Sequence, residues 1–494
     1  MSARKPLSFL AAATFLLTLL PGHARSYAVT NPWNLDRINQ AALPLDGNAS
    51  MGVLTGAGID VYVVDTGVRP THEQLNGRVV AGIDVPSSLN IALVTPLASD
   101  CDGHGTHVAS TIAGASTGVA VQARIIAVRV LDCNGDGEVV DVVEALKWVR
   151  AHHVSGRMAI ANLSLGVDIG DDGTEIAEMV RSLTTDGIVV VAAAGNGDGT
   201  GKGIDACKIV PANEPVAFAV GATTKTDSVA AFSNFGPCVD VYAPGGDRSA
   251  AINAAWYRND SDYMGDIGTS MAAPLASGVF ALLGEQQPSL CPGQYMDAVR
   301  ARAVPNVITG LDGTSANLLL NVNTAPIAGA IVPGRPSNVM ITPDSSSLIV
   351  SWDNPCDGGS PVISTKVSVL FGGKVVKAVT VPVGSTAVRV RGLVPGRRYS
   401  VVLKSTNALG PGTATPRLTT PRVTSLKPGR AIKVTELVRG EGDETTVLTS
   451  LTPTRCVVKG ETHRLVGVRA GTCRYTFQAP GAQAPTVRTI VVKG

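Results

Sequence analysis

Hydrophobic residues fall into two rhythms along this 494-residue chain. In the first, unbroken apolar runs such as GIDVYVVD (58–65), ARIIAVRVL (123–131) and GIVVVAAAG (187–195) alternate with segments of helical period. Those segments are EVVDVVEALKWVRAH (138–152), GTEIAEMVRSLTTD (173–186) and SMAAPLASGVFALLG (270–284). A strand that is apolar at every position must be covered on both faces, and amphipathic helices supply the cover. Residues 29–322 are therefore expected to form an α/β domain, a doubly wound parallel sheet with helices on both faces. In such sheets ligands sit beyond the carboxyl ends of strands. Asp65 and Asn196 each end an apolar run.

The second rhythm begins after a loose linker, 323–334. Short alternating runs with turn residues follow, among them SSLIVSWDNP, TKVSVLFGG and STAVRVRGLVPGRRYSVVLKSTNALGPG. This spacing predicts two small all-β sandwich modules, 335–420 and 421–494. The start of the chain has a third character. Arg4 and Lys5 precede an apolar stretch from Leu7 to Leu20, a Pro21-Gly22 break, and small residues at Gly22/Ala24 and Ser26/Ala28. Residues 1–28 read as a secretory signal peptide, too short in its apolar part for a membrane anchor. No later stretch is long and charge-free enough to cross a bilayer, so the expected product is secreted.

Composition adds an asymmetry. The net charge is only +2, yet residues 1–334 carry 19 Lys+Arg against 31 Asp+Glu, and residues 335–494 carry 22 against 8. A basic β half on an acidic α/β half suits an anionic cell wall or polysaccharide surface, or else a solvated spacer. Nucleic acid is a poor partner, because no binding fold or basic-aromatic stripe occurs. Export makes the eight cysteines disulfide candidates.

The chemistry lies in three motifs: VVDTGV (63–68), DGHGTHVAS (102–110) and GTSMAAP (268–274). They supply Asp, His and Ser. A serine hydroxyl needs a base to take its proton, and the base needs an acid to fix its tautomer. Ser270 alone reads as a helix cap. The order Asp…His…Ser in an exported α/β domain makes it a nucleophile candidate.

On these motifs, residues 30–322 resemble the subtilisin-like serine proteases, within them the proteinase K-like branch that includes aqualysin. The stretch NPWNLDRINQAALPLDG is similar to the mature start of that branch. The resemblance implies Asp65 as orienting acid, His104 as general base, Ser270 as nucleophile and Asn196 as oxyanion donor, with His107 structural and packing within the same helix. It implies that Ser164, Leu165 and Gly166 form one edge for an extended substrate, and Asn134, Gly135, Asp136 and Gly137 the other. Ala192, Ala193, Ala194 and Gly195 would wall the first specificity pocket, favouring apolar or aromatic side chains; its floor falls in 197–206.

The resemblance also implies disulfides Cys101–Cys133 and Cys207–Cys238, and a structural Ca2+ held by Asp240 with the carbonyls of Pro215 and Ala217. No organic cofactor is implied. Cys456 and Cys473 are expected to pair within the last module. Cys291 and Cys356 lie in different modules and are expected to be free. Relatives carry an inhibitory propeptide between signal and catalytic domain, whereas here the leader runs almost directly into TNPWNLDRI. Pro336, Trp352 and Tyr399 give residues 335–420 a resemblance to fibronectin type III domains, with Trp352 in the core and Tyr399 at a corner. The tail, 421–494, resembles bacterial Ig-like repeats. The expected function is a monomeric, secreted serine endopeptidase acting on polypeptides. A surface-binding protein with an inactive protease-like domain is the alternative.

Overall fold

The computed structural model of the chain describes residues 32–85, 98–154, 157–168, 173–323, 325, 329–344, 346–394, 397–415 and 417–419, and beyond these the backbone of six strands between 431 and 492. The signal-peptide reading of 1–28 and the side chains of Cys456 and Cys473 lie outside the described residues. The chain divides into two compact units: residues up to 331 with 356–359, and 332–355 with 360–494.

In the first unit the apolar runs become strands. β1 (Asp60–Asp65), β2 (Val79–Asp84), β3 (Arg124–Arg129), β4 (Ala159–Leu163) and β5 (Val167–Asp168) are followed by β6 (Ile188–Ala193), β7 (Ile209–Val210), β8 (Ala217–Thr223) and β9 (Val241–Pro244). β10 (Ile252–Ala255), β11 (Tyr263–Asp266), β12 (Val304–Pro305) and β13 (Leu318–Leu319) complete it. Among the described residues, nine of these form one sheet in the order β12-β13-β9-β8-β6-β4-β1-β3-β2. It is parallel except for the β12–β13 pair at the edge. Helices α1 (Trp33–Asn39), α2 (His104–Ala113), α3 (Val139–His152), α4 (Gly173–Thr185), α5 (Thr269–Gln286) and α6 (Pro292–Arg302) accompany it.

The two-residue period of a strand sorts the cover. Val61, Val63, Ile125, Val189 and Val191 join a core with α2 and α5, while Tyr62, Val64, Ile126, Val128 and Val190 face α3 and α4. Every residue of β1 is buried, as an apolar run covered on both faces must be. β2 and β3 lie on one side of β1, and β4, β6, β8 and β9 on the other. The order turns around at β1, so a crevice opens at its carboxyl end, where Asp65 stands.

The second unit is antiparallel. β14 (Ser337–Asp344), β15 (Ser347–Asp353) and β18 (Ala387–Arg391) form one sheet. β16 (Ser364–Phe371), β17 (Lys374–Pro382), β19 (Ser400–Asn407), β20 (Gly410–Pro411) and β21 (Leu418–Thr419) form the other. Trp352 is buried between them with Val350, Val367 and Leu403. Tyr399 Oη accepts the Val394 N–H at 2.8 Å, which pins the corner. Further on, β22 (Ala431–Lys433), β23 (Val447–Ser450), β24 (Cys456–Lys459), β25 (Arg464–Gly467), β26 (Gly471–Gln478) and β27 (Thr486–Val492) pair as two antiparallel three-stranded sheets.

Among the described residues there are three disulfides. Cys101–Cys133 and Cys207–Cys238 form as expected. The third corrects the sequence reading: Cys291 and Cys356 are bonded to each other, not free. Their assignment to different modules misled, because Cys356–Gly359 packs with the first unit although β15 and β16 flank it in sequence. Asp357 N–H donates to the Ser289 carbonyl at 3.1 Å, and Gln294 Nε2 donates to the Gly358 carbonyl at 3.2 Å. The 65-residue separation closes a large loop, worth roughly 4 kcal/mol in the chain-entropy account. A chain cut within 323–334 is therefore expected to stay covalently joined. With a specific protease site placed there, in a Ser270→Ala chain, a denaturing gel should show one species without reductant and two with it. Two bands without reductant would mean that the 291–356 bond does not form.

Candidate active site

Asp65 ends β1 with its side chain fully buried. Its Oδ1 accepts the N–H of Thr66 at 2.7 Å and lies 2.7 Å from His104 Nδ1. His104 opens α2. A proton on Nδ1, donated to the carboxylate, leaves Nε2 as the lone-pair nitrogen of the neutral ring. Nε2 is buried and makes no hydrogen bond within the protein. The two glycines of DGHGTH make room for this approach. Gly103 has φ +127°, and a Cβ there would meet the Trp256 ring at 2.3 Å. A Cβ at Gly105 would strike the Gly67 carbonyl at 2.1 Å and crowd Asp65.

A residue not singled out in the sequence ties these parts together. Asp100 accepts five hydrogen bonds. Its Oδ1 receives Thr66 Oγ1 (2.9 Å) and the N–H groups of Asp102 (3.0 Å) and Gly103 (2.9 Å). Its Oδ2 receives the N–H (2.9 Å) and Oγ1 (2.6 Å) of Thr106. Thr66 Oγ1 in turn accepts the Gly105 N–H at 2.9 Å. One carboxylate thus satisfies orphan donors at the start of α2 and fixes the strand end that carries Asp65. The signal in the sequence was an Asp four positions before His104, a spacing that suits a helix entry. His107 is buried, with Nε2 donating to the Ile252 carbonyl at 2.9 Å. It is structural, but it binds β10 rather than its own helix.

Ser270 is the second residue of α5, which packs on α2 and on the sheet. Its Oγ donates to the Ser164 carbonyl at 3.2 Å, while Ser164 Oγ donates to the Ser270 carbonyl at 3.0 Å. Asn162 Nδ2 steadies Ser164 Oγ at 2.9 Å, and Ser277 Oγ holds Asn162 Oδ1 at 2.8 Å. Asn196 Oδ1 accepts both the N–H (2.8 Å) and Oγ1 (2.9 Å) of Thr269. Two donors on one atom fix that atom as the oxygen, so the amide Nδ2 is the end left to face the cavity. The structure thus pairs Asp65 with His104, Ser270 with Ser164, and Asn196 with Thr269, the residue before Ser270. The Ser270 hydroxyl rests on a carbonyl here rather than on His104.

Against this geometry, residues 56–319 match the Subtilase family profile. The chain belongs to the subtilase family. Subtilases are serine proteases, and this chain is one. Residues 334–421 match the fibronectin type III domain. The chain is 42% identical over 300 residues to an extracellular serine proteinase of a Thermus strain, covering 60% of this chain and 68% of that one. It is 40% identical over 293 residues to the alkaline serine exoprotease A of Vibrio alginolyticus, covering 59% and 51%. A crystal structure of a cold-adapted subtilisin-like serine proteinase superposes with a TM-score of 0.54 at 38% identity, over 60% of this chain and all of that one.

In this subtilase a cavity of about 90 Å³ opens beside Ser270. Ser164, Leu165 and Gly166 line it, with Ala193, Gly195 and Asn196. Ala192 and Ala194 do not. Side chains alternate along a strand, so Ala192 is buried on the opposite face of β6 from Ala193, and Ala194, just past the end of β6, is buried in a cluster with Tyr242 and Leu319. Of the loop 197–206 expected as the floor, Gly197 lines the cavity, and Ile209 and Asn234 line it from outside that loop. Asn234 Oδ1 accepts the N–H groups of Gly197 and Ile204, both at 2.9 Å, and so braces the loop. The turn Asn134–Gly137 is wound on Asp132, whose Oδ1 accepts the N–H of Asn134 (2.8 Å) and of Asp136 (3.0 Å). It does not line this cavity.

The expected calcium ligands do not fit a calcium ion. Asp240 brings one carboxylate, and both oxygens are engaged. Oδ1 takes Arg300 Nε at 2.8 Å and Nη2 at 2.7 Å, and Oδ2 takes the Ala219 N–H at 2.7 Å.

Burial alone would lower the His104 pKa. The charge and hydrogen bond of Asp65 prevail, helped by the charges of Asp266 and Asp102, and raise it to about 9. The imidazolium therefore stabilises the fold. That contribution is complete below its ordinary value of 6.5 and is lost as pH rises through about 9. The His104 ring is expected to titrate near pH 9 in an NMR experiment. In Asp65→Asn burial is left nearly unopposed, and the midpoint should fall by more than one pH unit. A wild-type midpoint near 6.5 would contradict the pairing.

Proposed function

We propose that this chain is a secreted endopeptidase that cleaves polypeptides through an acyl-enzyme formed on Ser270. His104 Nε2 takes the hydroxyl proton as Ser270 Oγ bonds to the scissile carbonyl carbon. Negative charge then gathers on the carbonyl oxygen, and Asn196 Nδ2 donates to it. Collapse of this intermediate breaks the C–N bond, and the proton on Nε2 leaves with the amine. Water repeats the sequence: His104 takes its proton, hydroxide adds to the ester carbon, and Ser270 Oγ departs with the proton returned. Asp65 holds the ring throughout and stabilises the imidazolium. The observation that carries this reading is the buried 2.7 Å contact of Asp65 with His104 Nδ1, with Nε2 free of protein partners.

Substrate lies along Ser164–Gly166 as an added strand. The small, uncharged wall of Ala193 and Gly195 over Ile209 suits apolar or aromatic side chains before the scissile bond. The extracellular relatives support secretion, and the basic C-terminal modules support retention on an anionic cell wall or polysaccharide. An inactive, surface-binding role for the domain has less support, because all four residues of the mechanism are present.

A fluorophosphonate probe should label Ser270 in the wild type and fail to label His104→Ala. A folded, unlabelled wild type would overturn the reading. Asn196→Ala should lose about 100- to 1000-fold in kcat, the loss known for one oxyanion donor in subtilisin. His104 must be neutral to accept a proton, so kcat/KM should climb as pH rises through about 9, and Asp266→Asn should move that limb to lower pH. A flat profile from pH 7 upward would refute the electrostatics. At Gly166 a Cβ would lie 2.7 Å from Ile209 Cγ2. Gly166→Val is therefore expected to cut kcat/KM about tenfold or more for peptides with Phe before the scissile bond, and much less for Ala.

A further inference from the structure

The disagreement at Asp240 is itself informative. Family resemblance puts a calcium ion on Asp240 and the carbonyls of Pro215 and Ala217. In this chain the cation at that carboxylate is a side chain. Arg300, from the last turn of α6, spans Asp240 Oδ1 with two nitrogens, at 2.8 and 2.7 Å. Its remaining Nη1 takes Asp297 Oδ1 at 2.8 Å, and the guanidinium lies over the Phe218 ring at 5.5 Å. Asp240 Oδ2 holds the Ala219 N–H of β8, and the Asp240 N–H returns to the Ala219 carbonyl at 2.9 Å.

We propose that Arg300 is a resident cation in place of calcium, clamping α6 to the junction of β8 and β9. The physics favours one occupant over the other. A divalent ion seated on the same carboxylate would stand a few ångströms from a fixed positive charge, a repulsion of several-fold RT even with protein-surface screening. Calcium also needs six or more oxygens, and on the only carboxylate named for it Oδ1 is taken up by Arg300 while Oδ2 already holds the Ala219 N–H. The guanidinium by contrast is satisfied by two carboxylates and a ring face, in the planar, forked geometry that lysine cannot reproduce. Stability at this place therefore does not depend on calcium. It also follows that the latent site remains: the carboxylate and both carbonyls are still in the chain, and removing the guanidinium would open them to calcium.

The test uses the full chain carrying Ser270→Ala, which suppresses self-cleavage. Bound calcium is counted by atomic emission after dialysis against calcium chloride, and unfolding is followed in calcium and in EDTA. Any calcium bound elsewhere is common to all variants, so only differences matter. Asp240→Asn should release no calcium from this parent. Arg300→Ala should bind one ion more than the parent, and Asp240→Asn added to it should remove that ion. At a hundredfold excess of calcium over its dissociation constant, the Tm of Arg300→Ala should rise by roughly 5 °C, and the parent should show no matching shift. Loss of an ion from the parent with Asp240→Asn would overturn the proposal. So would a folded Arg300→Ala that gains none. If Arg300→Ala does not fold in either medium, Arg300→Gln, which keeps the stem and polar head but not the charge, decides by the same count.

Discussion

A carboxylate buried against an imidazole is the constraint on which the rest of this structure turns. Neither group is cheap to bury, and the pair is stable only where donors satisfy the carboxylate and the ring cannot swing away. The fold meets both demands by placing Asp65 at the turnaround of a parallel sheet and His104 at the first residue of a helix. Thr66 N–H binds the carboxylate at 2.7 Å. Asp100 then locks strand end to helix start through five hydrogen bonds, and glycines at 103 and 105 let backbone and ring approach closely. The raised pKa of His104 follows from the same constraint, since Asp65 acts at short range where water screens little.

The second half of the site obeys a different logic. Ser270 and Asn196 are held by neutral hydrogen bonds to neighbouring backbone, and α5 is apolar enough to be buried along nearly its whole length. A helix buried all round cannot shift without disturbing the core on both sides, so the serine has a fixed origin. Asp65 and His104 sit on β1 and α2, Ser270 on α5, and Asn196 in the turn that follows β6. Packing of α2 against α5 joins the helix that carries His104 to the helix that carries Ser270.

Much of this was legible in the sequence. The apolar runs gave strands within two residues of their observed limits, because a strand covered on both faces must be apolar throughout. Asp65, His104, Ser270 and Asn196 were legible because each sits in a short motif with its own steric demands. What escaped depends on pairings that no local pattern encodes. Ala192 and Ala194 were assigned to the pocket wall along with their neighbours, although alternation along β6 turns Ala192 away and Ala194, past its end, packs with Tyr242 and Leu319. Ile209 and Asn234 line the cavity from outside the motif. Cys291 and Cys356 were separated by a domain boundary drawn from composition, while four residues of one module fold with the other.

Asp240 shows the same limit in its sharpest form. The residues that would ligate a metal can be matched one by one along a sequence, and here all are present. Whether a metal fits depends on the net charge around them, and the deciding group enters from α6, some sixty positions away. A cation site is defined by a deficit of positive charge, so it can be closed without changing a single ligand. Arg300 does this, and Arg37 plays a comparable part elsewhere, meeting Asp227 at 2.7 and 2.9 Å across a fully buried interface. Both guanidiniums join elements distant in sequence by a two-nitrogen contact, on both carboxylate oxygens for Arg37 and on one for Arg300, whose two halves are covalently part of the chain. Such a contact carries no dissociation constant, so it persists at any calcium concentration.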